Sequence, residues 1–151
     1  MLRRTVVLVG LSTVLLAVLV ACGGAAQEGG ASSGEVALKI TGNVENEMAW
    51  TEDEVRAMDT IEAQRENNEG EMSTYTGVPI KTLLEKAGVP DDASTVTFVA
   101  EDDYAADAEL AEVMACDDCI VSFRTQGGFS VVMPGFSGKL QVKGIVEIQV
   151  E

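Results

Sequence analysis

The chain has 151 residues, of which 46% are hydrophobic, so it is long enough for one domain with flanking segments. Its formal net charge of −15 and the lack of a long basic run argue against nucleic acid as a partner, since phosphate binding requires a cationic surface. The sequence contains no histidine, which excludes Ser-His-Asp and Cys-His nucleophilic catalysis as ordinarily built, together with every histidine-ligated metal site.

The N-terminus has the pattern of an export signal. Arg3 and Arg4 precede an uncharged apolar run over residues 5–20, and this order is typical of a secretory signal. An uncleaved membrane anchor is the alternative, because the run lies near the lower length limit for spanning a bilayer. The run ends in Leu-Val-Ala-Cys at Cys22, which resembles the bacterial lipobox. The resemblance implies a signal peptide at residues 1–21 and lipidation of Cys22.

Lipidation of Cys22 would also define a location and one partner. Several acyl chains hold a protein stably at a bilayer, whereas a single chain holds it only marginally. We therefore expect a lipoprotein anchored to the cell membrane on its extracytoplasmic face. Residues 22–35 comprise this cysteine and a linker rich in Gly, Ala and Ser, a composition typical of flexible chain. The folded domain is expected at residues 36–151.

The first part of this domain predicts a strand, a short helix and a hairpin. Residues 36–40 alternate as a strand, with a turn at 41–43. Thr51 and Glu54 have the spacing of a capping box, so a short helix should follow, with Trp50, Val55 and Met58 facing inward. Residues 61–65 and 72–76 are then expected to pair across the turn at 66–70.

The central stretch, residues 74–90, predicts a strand, a turn and an amphipathic helix. Pro79 suits the first helical turn, where its missing N–H costs nothing. Apolar residues then recur with helical spacing, and they are Ile80, Leu83, Leu84 and Ala87. Gly88 supplies a left-handed cap and Pro90 prevents continuation.

The remaining chain predicts mostly strands. Residues 95–100 are β-branched and aromatic and form the clearest strand. A short strand at 104–108 and a helix at 109–115 should follow. Three strands close the chain, at 120–125, 129–133 and 142–150, with Gly127 and Gly128 in a hairpin turn. The fold class is therefore α+β, a single domain with a mixed or antiparallel sheet and short inserted helices.

Several segments, taken in order, resemble a known family. They are Leu-Lys-Ile-Thr-Gly-Asn-Val at 38–44, Tyr-Thr-Gly-Val-Pro-Ile at 75–80, Leu-Leu at 83–84, Ala-Gly at 87–88, Val-Thr-Phe-Val-Ala-Glu-Asp-Asp-Tyr at 96–104, Leu-Ala-Glu-Val at 110–113, Val-Met-Pro-Gly at 132–135 and Val-Lys at 142–143. The set resembles the molybdopterin-binding oxidoreductase domain of the sulfite oxidase family over residues 36–151. The resemblance implies a mixed α+β core and binding of a molybdenum–pterin cofactor.

The chain departs from this family at positions that matter for chemistry. The family's metal is held by a cysteine upstream of the segment equivalent to Tyr-Thr-Gly at 75–77, and residues 60–74 contain no cysteine. Family positions with a cationic or imidazole side chain are Ser130, Leu140 and Gln141 here, and Gly144 replaces an aromatic residue. Lys143 keeps the expected charge and is the candidate cofactor contact.

These departures predict a reduced domain without catalytic or metal-ligating residues. Arg3 and Arg4 leave with the signal, so eight of ten basic residues remain, a poor supply for a pterin phosphate. We expect a non-catalytic binding or accessory module without a bound cofactor, acting with a protein or small-molecule partner. The alternatives are a molybdopterin-dependent oxidoreductase, completed by another subunit, and a thiol–disulfide protein.

The alternative of a thiol–disulfide protein rests on the motif Cys-Asp-Asp-Cys at 116–119. With Cys22 assigned to lipid, Cys116 and Cys119 are the remaining pair, and in an oxidising compartment we expect them to form a structural disulfide. Exchange-active redox chemistry needs a stabilised thiolate, which two intervening carboxylates disfavour. Metal binding stays open, although two thiolates without histidine make half a zinc site unless carboxylates join them.

Two further groups of residues have simpler interpretations. Asp102 and Asp103 lack the spacing of a calcium loop and are expected to be solvated turn residues. In the resemblance they occupy a turn that usually reads Asp-Gly-Tyr. Phe136 lies between glycines and is the candidate for an exposed contact.

Overall fold

The computed structural model describes residues 34–67 and 69–151, which belong to one compact unit. The elements in chain order are β1 (Val36–Gly42), β2 (Met48–Thr51), α1 (Glu52–Arg56), β3 (Ile61–Glu66), β4 (Met72–Pro79), α2 (Ile80–Ala87), β5 (Thr95–Ala100), β6 (Ala105–Glu109), α3 (Leu110–Met114), β7 (Ile120–Phe123), β8 (Phe129–Val132), a 3₁₀ turn (Gly138–Leu140) and β9 (Lys143–Val150). The predicted signal peptide, Cys22 and the linker up to residue 33 lie outside the described residues.

A branched sheet organises the domain, with β9 at its centre. The main path runs β2-β1-β9-β8-β7-β4-β3, and β5 pairs with both β9 and β6. The pairing of β1 with β9 is parallel, and the other pairings among described strands are antiparallel. This confirms the predicted α+β class with a mixed sheet.

The main core forms where α2 lies on the sheet. Its predicted stripe is buried, with Ile80, Leu83, Leu84 and Ala87 at 0% exposure, and Gly88 ends the helix at φ 72°. Phe98 of β5 and Phe129 of β8 are equally buried. Each large apolar side chain removed from water contributes about 1.5–3 kcal/mol, so this cluster accounts for much of the domain's stability.

The start of α2 differs from its prediction. Gly77 and Pro79 belong to β4, and Pro79 is the N-cap with ψ 131°, so the helix begins at Ile80 without a preceding turn. A Cβ at Gly77 would overlap the Val121 carbonyl oxygen and lie 2.6 Å from Ser122 Cα. Glycine therefore lets β4 lie against β7 and continue as a strand up to the helix.

The second difference lies around α1. Its capping box is present, since Thr51 and Glu54 bond reciprocally, and Val55 is buried as predicted. Trp50 is buried too, but it belongs to β2, which the sequence did not predict, and Met58 lies beyond the end of the helix. Pairing with β1 imposes the extended conformation of β2, and local periodicity carries no sign of that pairing.

No helix among residues 34–67 and 69–151 is long and apolar enough to cross a membrane.

Candidate functional site

A small cleft lies where the β3–β4 hairpin meets the segment before β9. Its volume is about 230 Å³, and it is lined by Arg65, Asn67, Tyr75, Gly138, Gln141 and Lys143. Two stretches that are distant in sequence, the hairpin and residues 138–143, therefore converge on one opening. The predicted contact Lys143 is among them.

The hairpin supplies one side of this cleft. Tyr75 pairs with Ala63, and Arg65 pairs with Ser73, so the alternation along the strands places Arg65 and Tyr75 on the same face. Tyr75 also packs against a small cluster formed by Ala63 with Ile120 and Val132. This packing fixes the position of Tyr75, which also lines the cleft.

The opposite side is a loop fixed at two points. The side-chain amide of Gln141 donates to the Met133 carbonyl at 2.7 Å and accepts from the Met133 N–H at 3.0 Å. The Tyr104 hydroxyl donates to the Lys139 carbonyl at 2.9 Å. These bonds hold the 3₁₀ turn, so Gly138 and Gln141 present a defined wall.

The cleft is cationic, although the chain as a whole is acidic. Arg65 and Lys143 line it, no carboxylate does, and neither cation forms an ion pair within the described residues. The ion pairs of the described residues lie outside the cleft and involve Arg56 and Arg124. Unpaired guanidinium and ammonium groups favour phosphate and carboxylate ligands. A chain of net charge −15 thus holds a cationic cleft suited to a small anion.

A separate set of contacts ties α1 to the β7–β8 hairpin. The Gly128 N–H donates to Glu52 Oε2 at 3.1 Å, and Arg56 pairs with Glu52 at 2.7 Å. Arg56 also donates to the Arg124 carbonyl at 3.3 Å and lies 4.7 Å from the centre of the Phe123 ring. The Gly128 N–H, followed by Arg56, holds the pKa of Glu52 below its usual value. This set stabilises the sheet and lines no part of the cationic cleft.

Residues 64–151 match the family described as oxidoreductase molybdopterin binding domain. The chain belongs to this family. The crystal structure of the sulfane dehydrogenase SoxCD from Paracoccus pantotrophus resembles the chain with a TM-score of 0.64 at 20% identity, covering 80% of this chain and 39% of that one. At this identity the likeness shows the fold alone, and the chain spans about two fifths of the SoxCD chain. Comparison with curated proteins finds no match.

Only part of the molybdopterin-binding family's cofactor fits the residues of the cleft. The guanidinium of Arg65 and the ammonium of Lys143, which both line the cleft, suit a phosphate. Molybdenum calls for a soft sulfur ligand, and no cysteine lines the cleft. A volume of about 230 Å³ is also below the roughly 300–1,000 Å³ of typical small-molecule pockets. The residues therefore fit the anionic end of the cofactor and supply no sulfur for its metal.

The cysteines of the described residues lie elsewhere. Cys116 and Cys119 form the predicted disulfide in the turn between α3 and β7, with Cα atoms 5.5 Å apart. Cys119 is fully buried, and its carbonyl accepts from the Ile80 N–H at 2.9 Å. This turn thus joins the start of β7 to the start of α2 and does not reach the cleft.

The other predicted residues occupy different positions. Phe136 is half-buried and packs against the main core, outside the cleft. Asp102 and Asp103 lie exposed in the β5–β6 turn, where Asp102 Oδ1 accepts from the Tyr104 N–H at 3.2 Å. Neither Arg65 nor Tyr75 was among the candidate contacts predicted from the sequence. The available signal was that Arg65 lies two residues after Ala63 in a predicted hairpin strand and therefore shares the face of that buried residue.

Proposed function

We propose that this molybdopterin-binding-family domain is a non-catalytic module that binds a small anionic ligand in the cleft of Arg65, Tyr75 and Lys143. One observation carries the proposal: two cations without ion pairs line a cleft that has no sulfur ligand. The ligand is a phosphate-bearing molecule or another small oxyanion. In this proposal the cleft's residues bind and orient the ligand, and no electron transfer takes place there.

A second candidate is a molybdopterin-dependent oxidoreductase completed by another chain. The family match and the cationic cleft favour it, because Arg65 and Lys143 would hold the cofactor's phosphate. The cofactor itself would supply the redox chemistry. The missing sulfur ligand would then have to come from the other chain, since the described cysteines form a disulfide elsewhere.

The two candidates differ in metal content. The full chain, exported in a molybdenum-replete bacterial host and purified in detergent, is expected to contain no stoichiometric molybdenum by elemental analysis and no pterin by fluorescence after oxidation. A near-equimolar molybdenum signal would overturn the proposal. A variant carrying Arg65→Gln and Lys143→Gln is the matched control, because pterin held through its phosphate should be lost from it while adventitious metal stays.

We also propose that the module is tethered to the extracytoplasmic face of the membrane through lipid on Cys22. The support is the export-type N-terminus and the lipobox-like segment that ends at this residue. The wild-type chain should sediment with membranes and carry diacylglycerol and acyl groups in the mass spectrum of its N-terminal peptide. Cys22→Ser should release an unmodified chain or leave an uncleaved precursor. An N-terminal peptide that begins at another residue would refute the assignment.

A further inference from the structure

Three possible ligand atoms converge in the turn between α3 and β7. The Cys116 and Cys119 sulfurs and a carboxylate oxygen of Asp118 lie within 4.8 Å of one another. The Asp118 oxygen is 3.3 Å from Cys116 Sγ. The structure thus places a carboxylate beside two sulfurs, the component that a site built from two cysteines alone lacks.

The charges around these sulfurs disfavour a role as an exchange catalyst, in which one of the two sulfurs would act as the attacking thiolate. Asp117 and Asp118 are exposed beside them, and neither forms an ion pair within the described part of the chain. Exchange requires a stabilised thiolate, which nearby carboxylates oppose. A bound divalent cation reverses this electrostatic balance, because it attracts carboxylates and deprotonates coordinating thiols. The residues that make the pair a poor exchange couple therefore make its reduced form a better cation site.

We propose that the reduced turn binds a borderline-soft divalent cation of the zinc type through Cys116, Cys119 and Asp118. Three protein ligands leave the fourth tetrahedral position open to solvent. The disulfide gates the site, because its sulfurs are bonded to each other and offer no thiolate. This proposal does not rest on the function assigned to the cationic cleft, whose residues belong to other elements.

The backbone supports a site that survives opening of the sulfur–sulfur bond. The Cys116 N–H donates to the Val113 carbonyl at 3.2 Å, and the Cys119 carbonyl accepts from the Ile80 N–H at 2.9 Å. These bonds hold the two ends of the turn independently of the disulfide. Cys119 is buried whereas Asp118 is exposed, so the cation would enter from the Asp118 side.

Reduction of the disulfide and binding of the cation are two separate steps. Reduction delivers two electrons and two protons to the disulfide and gives two thiols, while a dithiol reductant becomes a disulfide. Binding of one divalent cation then releases the two thiol protons. In the test a water-soluble phosphine takes the place of the dithiol and is converted to its oxide with oxygen from water.

The test uses the full chain, reduced without oxygen and freed of phosphine, with Co²⁺ as a spectroscopic probe. We expect a thiolate-to-cobalt charge-transfer band that saturates at one Co²⁺ per chain and is displaced by Zn²⁺. The oxidised chain should show no band. Cys22→Ser should keep the band, the double variant Cys116→Ser/Cys119→Ser should lose it, and Asp118→Asn should weaken Co²⁺ binding about tenfold or more.

Three results would overturn the proposal. One is the absence of the band in a sample whose two thiols both react with an alkylating reagent. Another is an unchanged Co²⁺ affinity in Asp118→Asn, which would remove the carboxylate from the site. The third is loss of the sheet circular dichroism signal on reduction, since the site requires the folded turn.

Discussion

Neutralising Arg65 or Lys143 should weaken anion binding in the cleft. Both side chains line it and form no ion pair among the described residues, so neither charge is offset by a neighbouring carboxylate. Glutamine keeps much of the length and polarity of each side chain while removing the charge. The variants Arg65→Gln and Lys143→Gln therefore test the charges with little change in shape.

The expected magnitudes follow from the exposure and geometry of the two cations. Arg65 is half-buried and can bind an oxyanion with two parallel N–H groups, so its loss should cost about 1–2 kcal/mol. Lys143 is exposed, and its contribution should be about 0.5–1 kcal/mol. At 1.4 kcal/mol per tenfold change, these values correspond to roughly 5–30-fold and 2–5-fold weaker binding.

Inorganic phosphate is the probe. Its binding is followed by nuclear magnetic resonance, through the amide chemical shifts of the isotopically labelled full chain. Titration should move the amides of Gly138 and Gln141, which line the cleft, and give the dissociation constant. Lys39→Gln is the matched control, because it changes net charge equally from an exposed site on β1. It should alter the constant less than about twofold, since charges beyond about 8 Å are largely screened at physiological salt.

Two outcomes would refute the reasoning about the cleft. If phosphate moves amides elsewhere and leaves those of the cleft unchanged, the unpaired cations do not form an anion site. If Lys39→Gln weakens binding as much as Arg65→Gln, net charge and not local geometry controls the affinity.

The other predictions concern stability, measured by denaturant unfolding. Gly77→Ala should cost about 2–3 kcal/mol, because its Cβ would collide with β7 backbone that cannot swing away. Gly138→Ala should be nearly neutral, because an added Cβ there would meet no atom within 4 Å beyond its chain neighbours. Asp103→Gly should stabilise by about 0.5–1 kcal/mol, because φ is 65° at this position and glycine adopts that conformation without strain. Glu52→Gln should cost about 0.5–1 kcal/mol at neutral pH. The folded state lowers the pKa of Glu52, so its stabilisation is present above the ordinary glutamate pKa and is lost as pH falls below about 4.3.

Each of these has a result that contradicts it. Equal stability of Gly77→Ala and Gly138→Ala would show that β4 and β7 can separate without cost. If Asp103→Gly lowers the free energy of unfolding, the aspartate side chain stabilises the fold by more than its left-handed backbone conformation costs. If the free energies of unfolding of wild type and Glu52→Gln differ by the same amount at pH 7 and pH 3, the charge of the Glu52 carboxylate does not contribute to its contact with the Gly128 N–H.

Much of the fold follows from local patterns. The β-branched and aromatic composition of residues 95–100 and the hairpin residues Gly127 and Gly128 predicted strands that the structure contains. The apolar stripe with its glycine cap predicted α2. These signals work because side-chain direction in a strand or helix depends on the residue's own position. The departures lie at β2 and at the β4–α2 junction, where pairing with β1 and β7 determines the conformation.

Most residues of the cleft could not be predicted from the sequence, because they come together only through long-range strand pairing. Lys143 could be proposed only through the family resemblance, since a single lysine at the start of a strand has no distinctive pattern. Arg65 lies 78 positions earlier in the chain, and nothing local connects the two. Their convergence depends on the position of the β3–β4 hairpin at the end of the sheet path and on a loop fixed by Gln141 and Tyr104. Long-range pairing of this kind is not encoded in periodicity.

The net charge of the whole chain does not describe the charge of the cleft. Ten basic residues against 25 acidic ones indicated a poor supply of cations for a phosphate. In the structure, Arg56 and Arg124 have carboxylate partners, whereas Arg65 and Lys143 line an opening to which no carboxylate contributes. Screening over about 8 Å then makes the local pair dominate over distant carboxylates. An acidic surface can therefore coexist with an anion site, provided that the site's cations are kept apart from acidic side chains.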